Sequence, residues 1–93
     1  MLEIRIVDEA QHFMASLPAK HRRQVTAKIF LLAEKPVPPQ SKILEGYAPL
    51  RRLRSGDYRI VYFVDHDVLK ILLIDKRADD KVYQQVARKF KGL

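Results

Sequence analysis

The stretch LRRLRSGDYRIVY, residues 50–62, places four arginines and two tyrosines on either side of a short turn signal. A guanidinium group stays charged and matches phosphate oxygens bidentately, so a cluster of arginines is suited to holding a polyanion. Two interpretations stay open from the pattern alone. The cluster is either a phosphate-binding surface or a solvated basic edge whose arginine stems cover apolar surface.

The register of this predicted hairpin decides how close the arginines lie. A two-residue loop at Gly56-Asp57 places Arg54 opposite Arg59, with Arg52 further along the same face. A three-residue loop would instead place Arg54 beside Tyr58. The first register sets like charges opposite each other, which destabilises a sheet unless an anion binds there.

The overall charge also favours a polyanionic partner. The chain has 93 residues, a net charge of +7 and a sequence pI near 9.9, which points first to nucleic acid and second to acidic proteins. Residues 1–50 hold seven Lys or Arg against five Asp or Glu, and residues 51–93 hold eleven against six. The basic excess therefore lies mainly in the half that contains the arginine hairpin.

Other kinds of site receive little support. The chain has no cysteine, no Gly-rich phosphate loop and no apolar run of membrane-spanning length. His12, His21 and His66 have no partner at metal-ligand or triad spacing, and each is predicted to be a surface histidine. Asp75, Asp79 and Asp80 are interrupted by Lys76 and Arg77, so they predict ordinary solvated charge. We expect no metal, no cofactor and no membrane association.

The hydrophobic pattern predicts an α+β fold in a single domain, residues 1–93. A strand precedes two helices that end at Pro18 and Pro36, with Asp8 predicted to cap the first. A proline-rich connection, residues 36–49, leads to three strands and to a final helix that Asp79 or Asp80 is predicted to cap. The order is β-α-α-β-β-β-α, with a helical hairpin packed on a small, mainly antiparallel sheet. The predicted segments are strand 2–7, helices 8–17 and 20–35, strands 50–54, 58–64 and 68–76, and the final helix to about residue 90.

With these residues in view, the chain resembles the RelE-type toxins of bacterial toxin–antitoxin systems, within the RelE/ParE superfamily. The resemblance covers nearly the whole chain. It is carried by KILEG at residues 42–46, by R-x-R-x-G-x-Y-R-x-x-Y at residues 52–62 and by DKRADDKVY at residues 75–83. It implies a RelE-like fold and a cytoplasmic toxin that a cognate antitoxin protein holds inactive.

The resemblance further implies an mRNA endonuclease that acts in the 30S A site of the ribosome and inhibits translation. In that chemistry the 2′-hydroxyl attacks the adjacent phosphate without a metal, so the site must remove a proton, neutralise the phosphorane and protonate the leaving oxygen. Arg59 and Arg77 match the family's phosphate-stabilising or leaving-group arginines, and Tyr83 matches the tyrosine that orients or activates the nucleotide. The predicted RNA contacts are Arg51, Arg54, Lys76 and Lys81.

Two positions depart from the family. Arg52 stands where many relatives have a catalytic lysine, and Leu50 where some have a second one. Because arginine essentially never deprotonates in a protein, Arg52 is predicted to take part in the site without acting as the general base. Tyr83 is the better base, although the apolar stripe of the final helix would also accept it as a core residue.

Two rival functions remain. A ParE-like toxin uses the same fold to inhibit DNA gyrase without chemistry, and a small RNA- or ribosome-binding module would need no catalysis either. Fold alone does not decide among the three.

Overall fold

The computed structural model describes residues 1–76 and 80–91. The predicted element order is confirmed, and one short strand is added to it. The elements are β1 (Glu3–Ile6), α1 (Asp8–Ser16), α2 (Ala19–Glu34), β2 (Lys42–Ile43), β3 (Arg51–Ser55), β4 (Tyr58–Asp65), β5 (Val68–Asp75) and α3 (Asp80–Lys91).

The five strands form one sheet in the order β1-β5-β4-β3-β2. Strand β1 runs parallel to β5, and every other neighbouring pair is antiparallel. The predicted mainly antiparallel sheet is therefore confirmed. The nearly continuous apolar run of β5 fits its place inside the sheet, between β1 and β4, where helices cover both faces.

The α1–α2 hairpin covers one face of the sheet. Helix α2 buries Val25, Ile29 and Leu32, which recur at helical spacing and so form one stripe. These side chains join the buried residues of the strands, including Ile60 and Tyr62, in the larger hydrophobic cluster. The helical hairpin thus covers one face of the sheet, and the side chains of Arg52 and Arg54 lie on the opposite face.

Helix α3 covers the opposite face. Val86 is buried on it, and Phe90 meets Phe63 edge to face with ring centroids 4.5 Å apart. Leu50 and Val61 complete the buried centre of this second, smaller cluster. The sheet therefore separates two apolar layers, and α3 covers one of them together with Leu44 and Tyr47.

Strand β5 contains a β-bulge. Tyr62 pairs with Ile71 and Val61 pairs with Leu73, which leaves Leu72 without a partner in the ladder. Leu72 and Leu73 both contact the cluster beneath α3, whereas Ile71 and Ile74 are buried beneath the helical hairpin. One strand thus supplies both apolar layers.

The predicted cap of the first helix is wrong. Helix α1 begins at Asp8 itself, Val7 occupies the N-cap position, and no side-chain hydrogen bond caps the helix. Asp8 and Glu9 lie in the first turn, where their negative charge interacts favourably with the helix dipole. Pro18 stands at the N-cap of α2, so the proline separates the two helices as expected.

A buried polar network fastens the proline-rich connection to the sheet. The Tyr62 hydroxyl lies 2.7 Å from the carbonyl oxygen of Pro36, to which it donates, and 2.6 Å from Ser41 Oγ. Arg51 Nε donates to the same Ser41 oxygen over 2.8 Å. The network holds the chain against the sheet just before β2. Within residues 1–76 and 80–91, no helix is long and apolar enough to cross a membrane.

Candidate functional site

The β3–β4 hairpin has the register that brings two arginines face to face. Gly56 adopts φ +59°, a left-handed conformation that a tight two-residue turn requires and that other residues reach only with strain. Arg54 is the direct partner of Arg59, and Arg52 pairs with Val61. Of the two registers that the sequence left open, the structure therefore has the one with a two-residue loop at Gly56-Asp57.

These three arginines share the face of the sheet that α3 covers further along. Arg59 and Val61 point to the same side because strand residues two apart do so, and Val61 is buried beneath α3. Arg52 and Arg54 follow from the ladder register. We call this group, Arg52, Arg54 and Arg59, the arginine face.

The arginine face carries charge that neighbouring residues leave unpaired. Within the described residues, none of its three guanidinium groups has an ion pair or a side-chain hydrogen bond. Asp75 is the cross-strand partner of Arg59 in the ladder and supplies an acidic neighbour on the same face. Arg54 opposite Arg59 is a like-charge pair that costs on the order of 0.2–1 kcal/mol in the free protein. A phosphate bound between them would remove this repulsion.

Tyr83 lies in the first turns of α3. Its side chain is half-buried and packs against the apolar cluster beneath the helix, which includes Val61 and Phe63. The two roles considered for this tyrosine therefore overlap, because it contacts the core and keeps part of its side chain exposed. Val61 of that cluster lies on β4, the strand that also carries Arg59.

The remaining predicted site residues are dispersed. Arg51 points away from the arginine face, because its partner Tyr62 is buried beneath the helical hairpin, and it bonds to Ser41. Lys76 and Lys81 are exposed beside the start of α3. Arg77 lies outside the described residues. RNA contact by Arg51, Arg54, Lys76 and Lys81 stays a prediction.

Leu50, which replaces a family lysine, is fully buried in the cluster beneath α3. A leucine there completes an apolar layer in which a lysine ammonium would require a charged partner. The substitution and the packing of α3 therefore fit together.

Sequence reasoning missed the environment of His21. His21 is half-buried, and its Nδ1 lies 2.8 Å from the Tyr58 hydroxyl, so the expectation of a surface histidine is wrong. Tyr58 also meets the ring of Phe13 edge to face. This contact joins α1 and α2 to the start of β4, next to Arg59. Because His21 and Tyr58 are 37 residues apart, no local spacing could reveal the bond.

His12 and His66 are exposed, as predicted. Tyr58 and Tyr62 are core residues. Among the residues that the structure describes, no three His, Asp or Glu side chains come together in a group that could hold a metal ion. Asp79 lies outside that part of the chain.

Comparison with known proteins identifies the family of the chain. Residues 4–81 match the family model of the ParE toxin of type II toxin–antitoxin systems. A search of curated proteins found no match.

Solved structures of RelE proteins are similar over most of the chain. The archaeal RelE–RelB complex from Pyrococcus horikoshii is 32% identical with a TM-score of 0.71, and the match covers 80% of this chain and 92% of that one. The RelBE2 complex from Mycobacterium tuberculosis is 26% identical with a TM-score of 0.70, covering 82% and 98%. A mutant of the free Escherichia coli toxin RelE shares the fold at 24% identity, with a TM-score of 0.77 and coverage of 95% and 96%. The chain therefore belongs to the RelE/ParE superfamily and is the toxin of a toxin–antitoxin system.

Proposed function

We propose that this toxin is a metal-independent endoribonuclease that cleaves mRNA on the ribosome and so inhibits translation. The observation that carries the proposal is the unpaired arginine face, in which Arg54 and Arg59 oppose each other on the side of the sheet that α3, the helix of Tyr83, covers. A site with this charge suits a substrate whose transition state is more anionic than its ground state.

The cleavage reaction needs proton transfer and charge neutralisation. The 2′-oxygen of the RNA forms a bond to the adjacent phosphorus, and the bond from phosphorus to the 5′-oxygen breaks. The products are a 2′,3′-cyclic phosphate and a 5′-hydroxyl. Arg59 neutralises the phosphorane, and we assign the same role to Arg77. Arg52 contributes charge rather than basicity, because its guanidinium stays protonated.

The Tyr83 hydroxyl is the group we assign to proton transfer or to orientation of the reacting nucleotide. The packing of Tyr83 against the cluster beneath α3 supports this role, because packing restrains where the ring lies. Positioning of the RNA by the ribosome supplies the rest of the rate enhancement through proximity. Among the described residues, we assign Arg52, Arg59 and Tyr83 to the chemistry.

A ParE-like inhibitor of DNA gyrase is the second candidate. The family model that matches residues 4–81 is that of the ParE toxin, and this match favours the alternative. The arginine face would then bind gyrase or its DNA instead of a scissile phosphate. A non-catalytic RNA- or ribosome-binding module is the third candidate, because the chain lacks the family's lysines at residues 50 and 52.

One experiment separates the three functions. Purified toxin is added to translating ribosomes with a defined mRNA, cleaved ends are mapped and tested for a 2′,3′-cyclic phosphate, and gyrase supercoiling is assayed in parallel. We expect new 5′-hydroxyl ends and unchanged supercoiling. Gyrase inhibition without mRNA cleavage would establish the ParE-like function, and ribosome binding without either effect would establish the non-catalytic module.

The Arg59→Ala variant assigns the cleavage to this site. Loss of one contact to transition-state charge typically lowers a rate by about 10²–10³. The matched control is Arg5→Ala, which removes an exposed arginine from β1 at the far edge of the sheet. Equal cleavage by the Arg59→Ala variant and the wild type would refute the assignment, provided that both melt at the same temperature.

We also propose an antitoxin partner with an acidic segment, because relatives are described in complex with RelB and the arginine face is basic. That segment either covers the arginine face or displaces α3. Helix α3 is terminal among the described elements, so its local opening should cost less than global unfolding. Hydrogen exchange on the free and bound toxin tests this. Unchanged protection in both residues 52–59 and residues 80–90 would contradict it.

A further inference from the structure

A basic groove lies at the edge of the sheet, next to the arginine face. Its volume is about 580 Å³. Residues from α2, the proline-rich connection, β2, β3 and the hairpin turn line it, and they are Lys28, Gln40, Lys42, Arg52, Arg54 and Gly56. We call this cavity the edge groove.

The edge groove follows a part of β3 that lacks a strand partner. Strand β2 pairs only with Arg51 and Arg52. In the described part of the chain, no strand lies beyond β3 at Leu53–Ser55, on the side away from β4. An open strand edge presents unpaired backbone N–H groups, which are hydrogen-bond donors for an anion.

Four cations line the edge groove without a carboxylate among the lining residues. Within the described residues, Lys28, Lys42, Arg52 and Arg54 form no ion pair and no side-chain hydrogen bond. Lys28 and Arg52 are half-buried, which strengthens their electrostatic interaction with a bound ligand because less water screens it. The groove therefore concentrates positive charge where a polyanion can enter.

The lining also indicates the class of ligand. Among the described lining residues there is no aromatic side chain on which a base could stack and no aliphatic or aromatic anchor of the kind that fixes a docked peptide. Lysine and arginine contacts without base-reading or stacking groups are typical of binding to the nucleic-acid backbone. The chemistry favours phosphates along a single strand over an acidic protein segment.

We propose that the edge groove binds the backbone phosphates of the RNA that flanks the cleaved nucleotide. The inference rests on the proposed function, because it takes the RNA strand to be the substrate. Arg52 and Arg54 belong both to the arginine face and to the groove lining, so a strand held at Arg59 continues over Arg54 into the groove. Lys28 and Lys42 thereby become RNA-binding residues in addition to the arginines.

The test uses fluorescein-labelled, single-stranded 2′-O-methyl oligoribonucleotides of increasing length, which bind but cannot undergo 2′-hydroxyl attack. Affinity is measured by anisotropy over a range of salt concentrations. The test variant carries Lys28→Gln and Lys42→Gln, which keep most of each side chain. The matched control carries Arg5→Gln and Lys35→Gln, which remove the same charge from exposed positions outside the groove.

For a single strand, the slope of log affinity against log salt is roughly −0.7 per phosphate contact. We expect the groove variant to flatten the slope by about 1.4, the value for two contacts, and the control to leave it unchanged. Equal slopes for the wild type and the groove variant, both folded by circular dichroism, would overturn the proposal. A groove variant that keeps its RNA slope but loses affinity for a polyglutamate peptide would also overturn it, because the groove would then bind protein.

Failure of this inference differs from failure of the proposed function. If the groove variant binds RNA like the wild type while the wild-type toxin cleaves mRNA, the groove assignment is wrong and the nuclease stands. If the toxin cleaves no mRNA but the groove variant flattens the slope, the groove binds RNA and the nuclease assignment is wrong.

Discussion

The two ends of the sheet carry similar cations in different electrostatic environments. On the side of β1 and β5, Arg5 pairs with Glu3 over 3.4 Å, Lys70 pairs with Asp65 over 3.4 Å, and Lys89 of α3 lies 2.6 Å from Glu9 of α1. On the side of β3, the arginine face and the edge groove have no such pairs among the described residues. Net charge alone would not distinguish these two regions.

This difference separates structural charge from charge available to a ligand. Exposed ion pairs contribute little to stability, typically about 0–1 kcal/mol, but they leave a cation less available to another anion. Unpaired cations that oppose each other cost stability in the free protein and recover it when a polyanion binds. The β3 side is therefore where binding should be strongest, and the β1 side should tolerate substitution.

The largest effect is expected from the buried network of Tyr62, Ser41 and Arg51, which holds the proline-rich connection against the sheet. Tyr62→Phe removes a buried hydroxyl and leaves the Pro36 carbonyl and Ser41 without that partner. The free energy of unfolding should fall by about 1–3 kcal/mol, the cost of an unsatisfied buried polar group. Urea unfolding measures it. Tyr47→Phe is the control, because this half-exposed tyrosine has no side-chain hydrogen bond among the described residues. Equal losses in both variants would contradict the role of the network.

Arg54→Ala should have opposite effects on stability and on binding. Removing the like charge opposite Arg59 should stabilise the free toxin by about 0.2–1 kcal/mol. The same change should flatten the salt dependence of RNA binding by roughly one contact, or 0.7 in slope. Thermal unfolding and anisotropy measure the two quantities. A variant that is both less stable and equally dependent on salt would show that Arg54 is a structural residue.

Lys89→Ala tests the paired side. Loss of its exposed contact with Glu9 should lower the free energy of unfolding by no more than about 1 kcal/mol. Because this pair joins α3 to α1, we expect faster hydrogen exchange in α3 and unchanged exchange in β3. A loss of several kcal/mol would mean that the ion pair supports the global fold.

The smallest effect concerns Asp65. The neighbouring His66 and then Lys70 donate hydrogen bonds to the Asp65 carboxylate and lower its pKa below the ordinary value of 3.8. A depressed carboxyl pKa stabilises the fold above the unfolded value, and this contribution is lost as pH falls through the folded value. An NMR titration should place the Asp65 midpoint below 3.8, and His66→Ala should raise it. A midpoint at or above 3.8 in the wild type would contradict this assignment.

Local signals in the sequence predicted the hairpin and the order of the main elements. Gly56-Asp57 predicted the turn but left two loop lengths open, and the pairing of Arg54 with Arg59 follows from the structure. Strand β2 was not predicted, because two paired residues are too short to produce a periodic pattern. The cap at Asp8 failed because the helix incorporates that residue in its first turn.

The contacts that support the site were beyond sequence reasoning. His21 and Tyr58 are far apart in the chain, and so are Tyr62 and the Pro36 carbonyl. Each pair forms only when the helical hairpin and the proline-rich connection pack against the sheet. The edge groove combines residues from separate elements in the same way, so Lys28 and Lys42 carried no local signal of a shared surface.

The bulge in β5 determines which faces of the sheet Ile74 and Asp75 occupy. If the ladder continued regularly from Ile71, Leu72 would pair with Val61, and Ile74 would stand opposite Arg59. Asp75 would then turn towards the helical hairpin. The single unpaired Leu72 shifts the pairing register by one residue. This shift keeps Ile74 in the apolar layer beneath the helical hairpin and places Asp75 opposite Arg59. Deleting Leu72 should therefore preserve every cross-strand pair. Inserting a residue between Leu73 and Ile74 would instead turn Ile74 towards α3 and Asp75 towards the helical hairpin.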